Sequence, residues 1–432
     1  MIKISNKVFY KRHSLELEKF IHDKKTLHLV NENSKTKFNL KNTKNIFLDL
    51  NKQQTKLNIN EKFERIVLTD VVENHNDIYL LLSEISNLLT YDGKLILSSI
   101  NSKYNWIIRF LEYFNIKDKN NTLSLIHIKL IENITSGLGL EYQKSFTRQL
   151  FPFKLFLLGN LINKLLEILL FNFNFGIKSY IVFRLKEQNS LSLSKSIIIP
   201  AKNEEGNLVE LIDRIPKFPN TEIIFAYGMS NDNTLEVMKS ISKSNTFFNF
   251  KIINQSKSGK ANAVWEAIEV VENDLIAILD ADISVEPETL TQFFQILEFN
   301  RADFVNGTRL VYDMEKKSMR FLNKIGNRFF QFFIGKIIRE KLSDSLCGTK
   351  VFKKTFLADL NFWQKEFNLT DPFGDFDLLF SAAYSGQKII ELPIHYKERS
   401  YGETQISRFK DGYKLFTYLT LSFFKFNSSR NE

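Results

Sequence analysis

A chain of 432 residues is too long for one ordinary hydrophobic core, which sets the expectation of two domains. Hydrophobic residues at 44% and charged residues at 25% exclude wholesale disorder. The single cysteine, Cys347, excludes an internal disulfide and a cysteine-only zinc site, so a reducing, cytoplasmic setting fits best. The net charge of +10 is spread among interleaved acids, which argues against nucleic acid as a partner and leaves phosphates and anionic lipid as candidates.

The opening run Met1-Ile2-Lys3-Ile4-Ser5-Asn6-Lys7 has no apolar core followed by small residues and does not read as a signal peptide. Apolar runs then predict strands at 26–30, 45–50, 65–69, 94–98 and 179–184, with helical periodicity clearest over 78–89. No uninterrupted apolar run reaches spanning length. The nearest, 155–173, is broken by Asn160, Asn163, Lys164, Glu167 and Asn172 and predicts an amphipathic helix. The polar stretch Lys186-Glu187-Gln188-Asn189-Ser190 marks a boundary, giving domains at 1–187 and 188–432. A strand at 196–199, ended by Pro200, opens the second half. Others follow at 222–225, 250–253, 275–279, 304–308 and 388–392. The alternation predicts α/β architecture with mostly parallel sheets in both halves.

The apolar run Leu275-Ile276-Ala277-Ile278-Leu279 ends in Asp280-Ala281-Asp282, at the end of a strand where α/β sheets place ligands. Strand alternation would send both carboxylates the same way. Such a pair suits Mg²⁺ or Mn²⁺ while leaving positions for the oxygens of a diphosphate. An isolated Asp-x-Asp is more often an Asp-rich turn, but this one has company. Pro200-Ala201-Lys202-Asn203-Glu204 lies between a strand and a helix, where backbone groups and an acidic side chain hold a nucleoside. Ser230-Asn231-Asp232-Asn233-Thr234 follows the next strand. Ser258-Gly259-Lys260-Ala261-Asn262-Ala263 precedes a helix through Val271, with Gly259 permitting close backbone approach.

With these pieces in this order, residues 196 to 425 resemble a family 2 glycosyltransferase of the GT-A nucleotide-sugar fold, nearest the dolichol- or polyprenyl-phosphate mannose synthase branch. The resemblance implies a nucleotide-sugar site made by Pro200, Lys202, Glu204, Asp280, Ala281 and Asp282. Ser284 stands at a position often linked to the metal. Gly307-Thr308-Arg309 resembles a Gly-x-Arg motif that would set Arg309 on the donor phosphates, and Arg399-Ser400-Tyr401-Gly402-Glu403-Thr404 resembles a loop that closes over the diphosphate, aided by Gln405 and Arg408. By the same resemblance Asp344 and Lys350 would belong to a turn on the acceptor side, and Asp375 and Asp377 would stand near the nucleophile. A hydroxyl acceptor would take Asp375 or Asp377 as general base, whereas a lipid phosphate needs none. This chain has Tyr227-Gly228 where many members carry paired acids that contact the base, and Gln405 where the loop usually carries lysine.

The implied reaction is a single inverting displacement. It moves a hexose from a GDP- or UDP-linked donor to an acceptor, by preference a polyprenyl phosphate, while metal, Arg309 and Arg399 stabilise the departing diphosphate. The apolar, lysine-studded run 412–425 fits a helix lying on the membrane interface or packed on the sheet, and implies peripheral contact at the inner face of the cytoplasmic membrane. Transfer to a saccharide hydroxyl, nucleotidyl transfer and a non-catalytic sugar-nucleotide sensor are the alternatives. The 399–404 loop argues against nucleotidyl transfer, and the retained acids and arginines argue against a sensor.

In the first half, 62–75, the helix through Leu89 and Asp92-Gly93-Lys94-Leu95-Ile96-Leu97-Ser98 resemble the later part of a class I S-adenosylmethionine-dependent methyltransferase, a Rossmann-like fold. The whole chain then resembles a fusion of such a domain with a glycosyltransferase. A methyltransferase needs a glycine-rich turn after its first strand, yet this chain has Leu27-His28-Leu29-Val30-Asn31-Glu32-Asn33-Ser34 there and no glycine before Gly93. The first domain is therefore expected to keep the fold, not to bind S-adenosylmethionine, and to serve as scaffold or acceptor-recognition module. Methyl transfer is its alternative. Asp49 is a candidate ribose contact, and His75 reads as packing at a helix start.

Overall fold

A computed structural model describes residues 6–31, 40, 43–48, 57, 59–72, 75, 77–104, 106, 110, 113, 128–150, 162, 165–166, 170, 174–186, 191–309, 321–338, 340, 342–367, 371, 373–397, 401 and 408–427. The chain forms two compact units, Met1–Glu187 with Phe424–Glu432, and Gln188–Phe423.

The first unit contains helix α1 (Asn6–Ile21), strands β1 (Thr26–Asn31), β2 (Lys44–Leu48) and β3 (Phe63–Thr69), helix α2 (Ile78–Leu88), strand β4 (Leu89–Ile100), helix α3 (Ile128–Gly137), and strands β5 (Leu140–Arg148) and β6 (Lys178–Leu185). Among the described residues its sheet has the order β2-β1-β3-β4-β6-β5. β1 to β4 run parallel, and β6 is antiparallel to both of its neighbours. Ile66, Val67 and Leu68 are all fully buried, because the sheet is covered on both faces; this is why β3 reads as an unbroken apolar run. Asp77 starts α2 by accepting from the Leu80 amide, and the helix buries Leu81, Leu82 and Ile85.

On one face of this sheet a row of polar side chains is buried among apolar ones. His28 in β1 donates from Nδ1 to Asn45 Oδ1 at 2.8 Å, so its Nε2 accepts from Thr69 Oγ1 at 3.0 Å. Ser98 donates to the Leu68 carbonyl and takes His13 Nε2 at 3.1 Å, which leaves His13 Nδ1 to accept from Tyr180 at 2.6 Å. At the strand ends Asp70 meets Lys178 and Tyr10. Burial, then the charge of Lys178 and that of His28, hold His13 below the usual histidine range, and burial brings His28 down to about 4.

The second unit contains β7 (Lys195–Ala201), α4 (Leu208–Arg214), β8 (Thr221–Tyr227), α5 (Thr234–Ser244), β9 (Asn249–Asn254), α6 (Lys260–Ile268), β10 (Leu275–Ile278), α7 (Leu290–Glu298), β11 (Phe304–Thr308), α8 (Phe321–Ile338), β12 (Lys350–Lys353), α9 (Leu357–Phe367), α10 (Asp375–Tyr384), β13 (Ile389–Pro393) and most of α11 (Arg408–Asn427). The sheet order is β13-β11-β12-β10-β7-β8-β9. Only β12 is antiparallel to its neighbours among these described strands. Ile197, Phe225, Leu275, Ala277, Phe293 and Val351 join one core across the sheet, each large aliphatic contributing roughly 1.5–3 kcal/mol by burial.

Three expectations change. β7 does not stop at Pro200 but continues to Ala201. Its pairing with β10 has already ended at Ile198, so beyond that point the proline disturbs a ladder on one side only. β10 ends at Ile278, so the acidic triplet occupies the turn after the strand. β5 and β12 were not predicted at all. Asp49 and most of 155–173 lie outside the described residues, and among the described residues no helix is long and apolar enough to cross a membrane.

Candidate active site

The parallel strands β10, β7 and β8 end on one edge, and their following loops build the site. After β7, Asn203 adopts φ 58° and its loop is stitched to the loop after β8. The Asn203 amide donates to Ser230 at 3.0 Å, the Asn231 amide to Asn203 Oδ1 at 2.7 Å, the Asn233 amide to Glu205 at 2.8 Å, and the Glu204 amide to Thr234 at 2.9 Å. Asp232 accepts from the Glu205 amide at 3.3 Å and holds Thr234. Glu204 accepts from Asn207 at 2.6 Å, a helix-start contact, while Lys202 is exposed beside Gly228. Tyr401 lies against Gly206, where a Cβ would approach its ring at 2.8 Å, and donates to Glu205 at 3.3 Å.

In the turn after β10 the two aspartates differ. Asp282 is buried and accepts from the Ser284 amide at 3.0 Å and its hydroxyl at 2.6 Å, so Ser284 orients Asp282. Ile283 between them takes φ 53°, a left-handed conformation costly for a β-branched residue. Asp280 keeps 29% of its side chain exposed, with Oδ1 2.5 Å from Lys260 Nζ. Burial would lower the Lys260 pKa, but the charges of Asp280, Asp375 and Asp282 outweigh it and hold lysine above its usual range. Gly348 packs against this pair: a Cβ there would overlap Asp280 Oδ2 and lie 2.6 Å from Lys260 Nζ.

Arg309 follows β11, and its Nε and Nη2 form a two-pronged bond to Asp344 at 2.7 and 2.9 Å. Asn327 also donates to Asp344 at 2.7 Å, and Tyr396 lies under the guanidinium. Burial alone would raise Asp344, yet Arg309 keeps it below the carboxylate range. Asp344 is fully buried, so it positions Arg309 and does not face an acceptor. Lys350 is likewise fully buried, held by Asp375 at 2.6 Å and by the Cys347 carbonyl, which corrects its assignment to the acceptor.

At the start of α10 the acids divide. Gly374 at φ 82° makes the turn, and Asp371 accepts from the amides of Phe373, Phe376 and Asp377 as a cap. Asp377 points inward to Trp363 Nε1 at 3.2 Å and to the Tyr418 hydroxyl, a structural role in place of the expected base. Burial raises Asp371 to about 7, assisted by Asp377 and Asp375, and raises Asp377 to about 6 against its hydrogen bonds. Asp375 alone of the three joins the cluster around Asp280, through Lys350 and its charge on Lys260. Arg399 and Gln405 lie outside the described residues; Arg408 is the first residue of α11, and its side chain also lies outside them. In the sequence Lys260 reads only as part of a glycine turn, and Gly348 only as the glycine of the turn from Asp344 to Lys350.

Residues 196–360 match the family model for glycosyl transferase family 2. The chain is similar to a dolichyl-phosphate hexose transferase of Haloferax volcanii, 26% identical over 220 residues that cover 50% of this chain and 88% of that protein. It is equally similar to a dolichol-phosphate mannosyltransferase of Pyrococcus furiosus, 26% identical over 233 residues, 52% of this chain and 61% of that protein. Among solved structures it is similar to glucosyl-3-phosphoglycerate synthase of Mycobacterium tuberculosis in complex with Mn²⁺, uridine diphosphate and phosphoglyceric acid, at 15% identity and a TM-score of 0.40, over 53% of this chain and 78% of that one. The α/β unit that holds the Asp280–Asp282 turn thus contains a family 2 glycosyltransferase domain, and the chain is a glycosyltransferase.

Proposed function

We propose that the second unit moves a hexose from a GDP- or UDP-linked donor to a polyprenyl phosphate, inverting the anomeric carbon. The observation that carries this is the Asp280–Asp282 turn, two carboxylates in the loop at the end of the parallel strands. The residues suit a divalent ion. Asp280 and Asp282 offer hard oxygen ligands, Ser284 fixes Asp282, and the missing side chain at Gly348 lets the Asp280 carboxylate approach the backbone there. Such an ion, held by Asp280 and Asp282, would supply charge stabilisation for the departing diphosphate. Arg309, with its Nε and Nη2 edge fixed by Asp344, is pre-oriented to present its remaining Nη1 to phosphate oxygens without reorganising. The loops after β7 and β8 would hold the nucleoside, and Arg399, Gln405 and Arg408 would close over the diphosphate.

Two observations support a lipid phosphate acceptor over a saccharide hydroxyl. Both candidate bases are engaged, Asp375 by Lys350 and Asp377 by Trp363 and Tyr418, which suits an acceptor already ionised. α8 and α11 also expose Phe329, Phe332, Phe333, Tyr413 and Phe416, with Phe329 and Phe416 ring centroids 6.4 Å apart and Lys336 and Lys414 beside them, the composition of an interfacial surface. The curated relatives named for dolichyl-phosphate transfer agree with that acceptor class. For the first unit we propose a methyltransferase-like scaffold that does not bind S-adenosylmethionine, since His13, Tyr10 and Lys178 fill the C-terminal ends of its strands.

The test is a panel of GDP- and UDP-hexoses with Mn²⁺ or Mg²⁺ and a polyprenyl phosphate, scored for organic-soluble sugar and free nucleoside diphosphate. Sugar entering the lipid fraction from one donor supports the proposal. A folded protein that transfers only to soluble saccharide, and does not sediment with anionic liposomes, overturns the lipid acceptor.

A further inference from the structure

We propose that Lys260 is a built-in counter-cation of the Asp280–Asp282 site, holding it before a divalent ion arrives and thereby coupling metal binding to nucleoside diphosphate binding. The inference rests on the cation site of the preceding section and assigns a role to a residue outside that account.

Lys260 is the first residue of α6, the end of a helix where backbone dipoles disfavour a positive charge by about 0.3–1 kcal/mol. A lysine in so poor a local position signals a partner elsewhere. Gly259, at φ 109°, makes the turn into the helix, a conformation that glycine adopts readily. The partner is Asp280, 2.5 Å from Nζ, and the charges of Asp375 and Asp282 act on the same ammonium. The absence of a side chain at Gly348 keeps the contact open, since a Cβ there would meet both Asp280 and Lys260. The ammonium therefore sits against an oxygen that a divalent ion would need.

The physical consequence is competition. A divalent ion binding alone must displace the ammonium from Asp280 and then lie beside it, two like charges in a partly enclosed site. A diphosphate arriving with the ion brings anionic oxygens that receive the displaced lysine. Each ligand should therefore strengthen the other, and by linkage the factor is the same in both directions. Removing the charge from Lys260 removes the competition, so the ion alone should bind more tightly and gain less from the diphosphate.

The experiment titrates Mn²⁺ into the full chain, following free Mn²⁺ by electron paramagnetic resonance, without and with GDP or UDP. Wild type is compared with Lys260→Met, Lys260→Gln and Asp282→Ala. The expected result is about tenfold tighter Mn²⁺ binding in both lysine variants without nucleotide, and a smaller gain on adding it. A gain in affinity cannot arise from a misfolded variant. Unchanged or weaker Mn²⁺ binding in both lysine variants, with binding lost in Asp282→Ala, overturns the role of Lys260 and leaves the cation site standing. Absence of Mn²⁺ binding to wild type with or without nucleotide overturns the cation site as well.

Discussion

The two units set polar groups toward the ends of parallel strands and treat them in opposite ways. In the first, His28 bonds Thr69, His13 bonds Ser98 and Tyr180, and Asp70 is met by Lys178 and Tyr10. In the second, Asp280 and Lys260 form a pair with nearly a third of each side chain still exposed, packed against a glycine where no Cβ would fit. Buried polar groups that are hydrogen-bonded to one another specify packing. A charged pair left partly open at a strand end can exchange one partner for a ligand. The contrast extends to titration, because burial lowers His13 and His28 in the first unit and raises Asp371 and Asp377 in the second.

The largest expected effect is on an enclosed, two-pronged ion pair of the second unit. Asp344→Ala would leave Arg309 buried without its carboxylate and should cost about 3–5 kcal/mol in urea unfolding, followed through Trp265 and Trp363. A loss under about 1 kcal/mol would place the pair among surface contacts. Next, Gly348→Ala should lower Mn²⁺ affinity about tenfold, the scale of a 1–3 kcal/mol overpacking penalty, because the new methyl overlaps Asp280. Unchanged affinity would mean that Asp280 yields without losing the ion.

A smaller effect should separate the units by pH. His28, at about 4 folded against roughly 6.5 unfolded, contributes stability that is whole above pH 6.5 and lost as pH falls toward 4; His13 acts in the same direction. Asp371 at about 7 and Asp377 at about 6 are raised above the unfolded value of roughly 3.9, so their contribution is whole below that value and lost as pH rises through 6 to 7. Hydrogen exchange, corrected for intrinsic rate, should show His28→Asn flattening the acid side in β1 and β3, and Asp377→Asn flattening the neutral side in α10. The same pH response in both units would remove the contrast. The smallest expected effect is none: calorimetric titration of S-adenosylmethionine should give no binding heat, and clear micromolar binding would reopen the first unit as a methyltransferase.

Much of the sheet framework was legible because doubly covered strands leave apolar runs. β3, β8 and β11 differ from their predicted bounds by two residues or fewer at each end. β12 escaped because its four residues begin and end in lysine, and β5 because Leu140–Arg148 alternates without a dominant apolar face. The Asp280 turn and its upstream loops could be read from motif order. What Asp377 and Lys350 do could not. Asp377 meets Trp363 and Tyr418, 14 and 41 positions away, and Lys350 meets Asp375, 25 away, pairings that only packing decides. Lys260 gave a signal that was not used, a cation at the wrong end of a helix.

The central claim is that Asp280 and Asp282 serve departure of the diphosphate in a sugar transfer. The most direct measurement is the rate of nucleoside diphosphate release during sugar transfer by Asp282→Ala against wild type, at saturating donor and Mn²⁺, with both proteins matched for folding by circular dichroism. The account expects a loss on the order of 10²–10³-fold, the scale of removing one transition-state charge stabiliser. Release at the wild-type rate would contradict it.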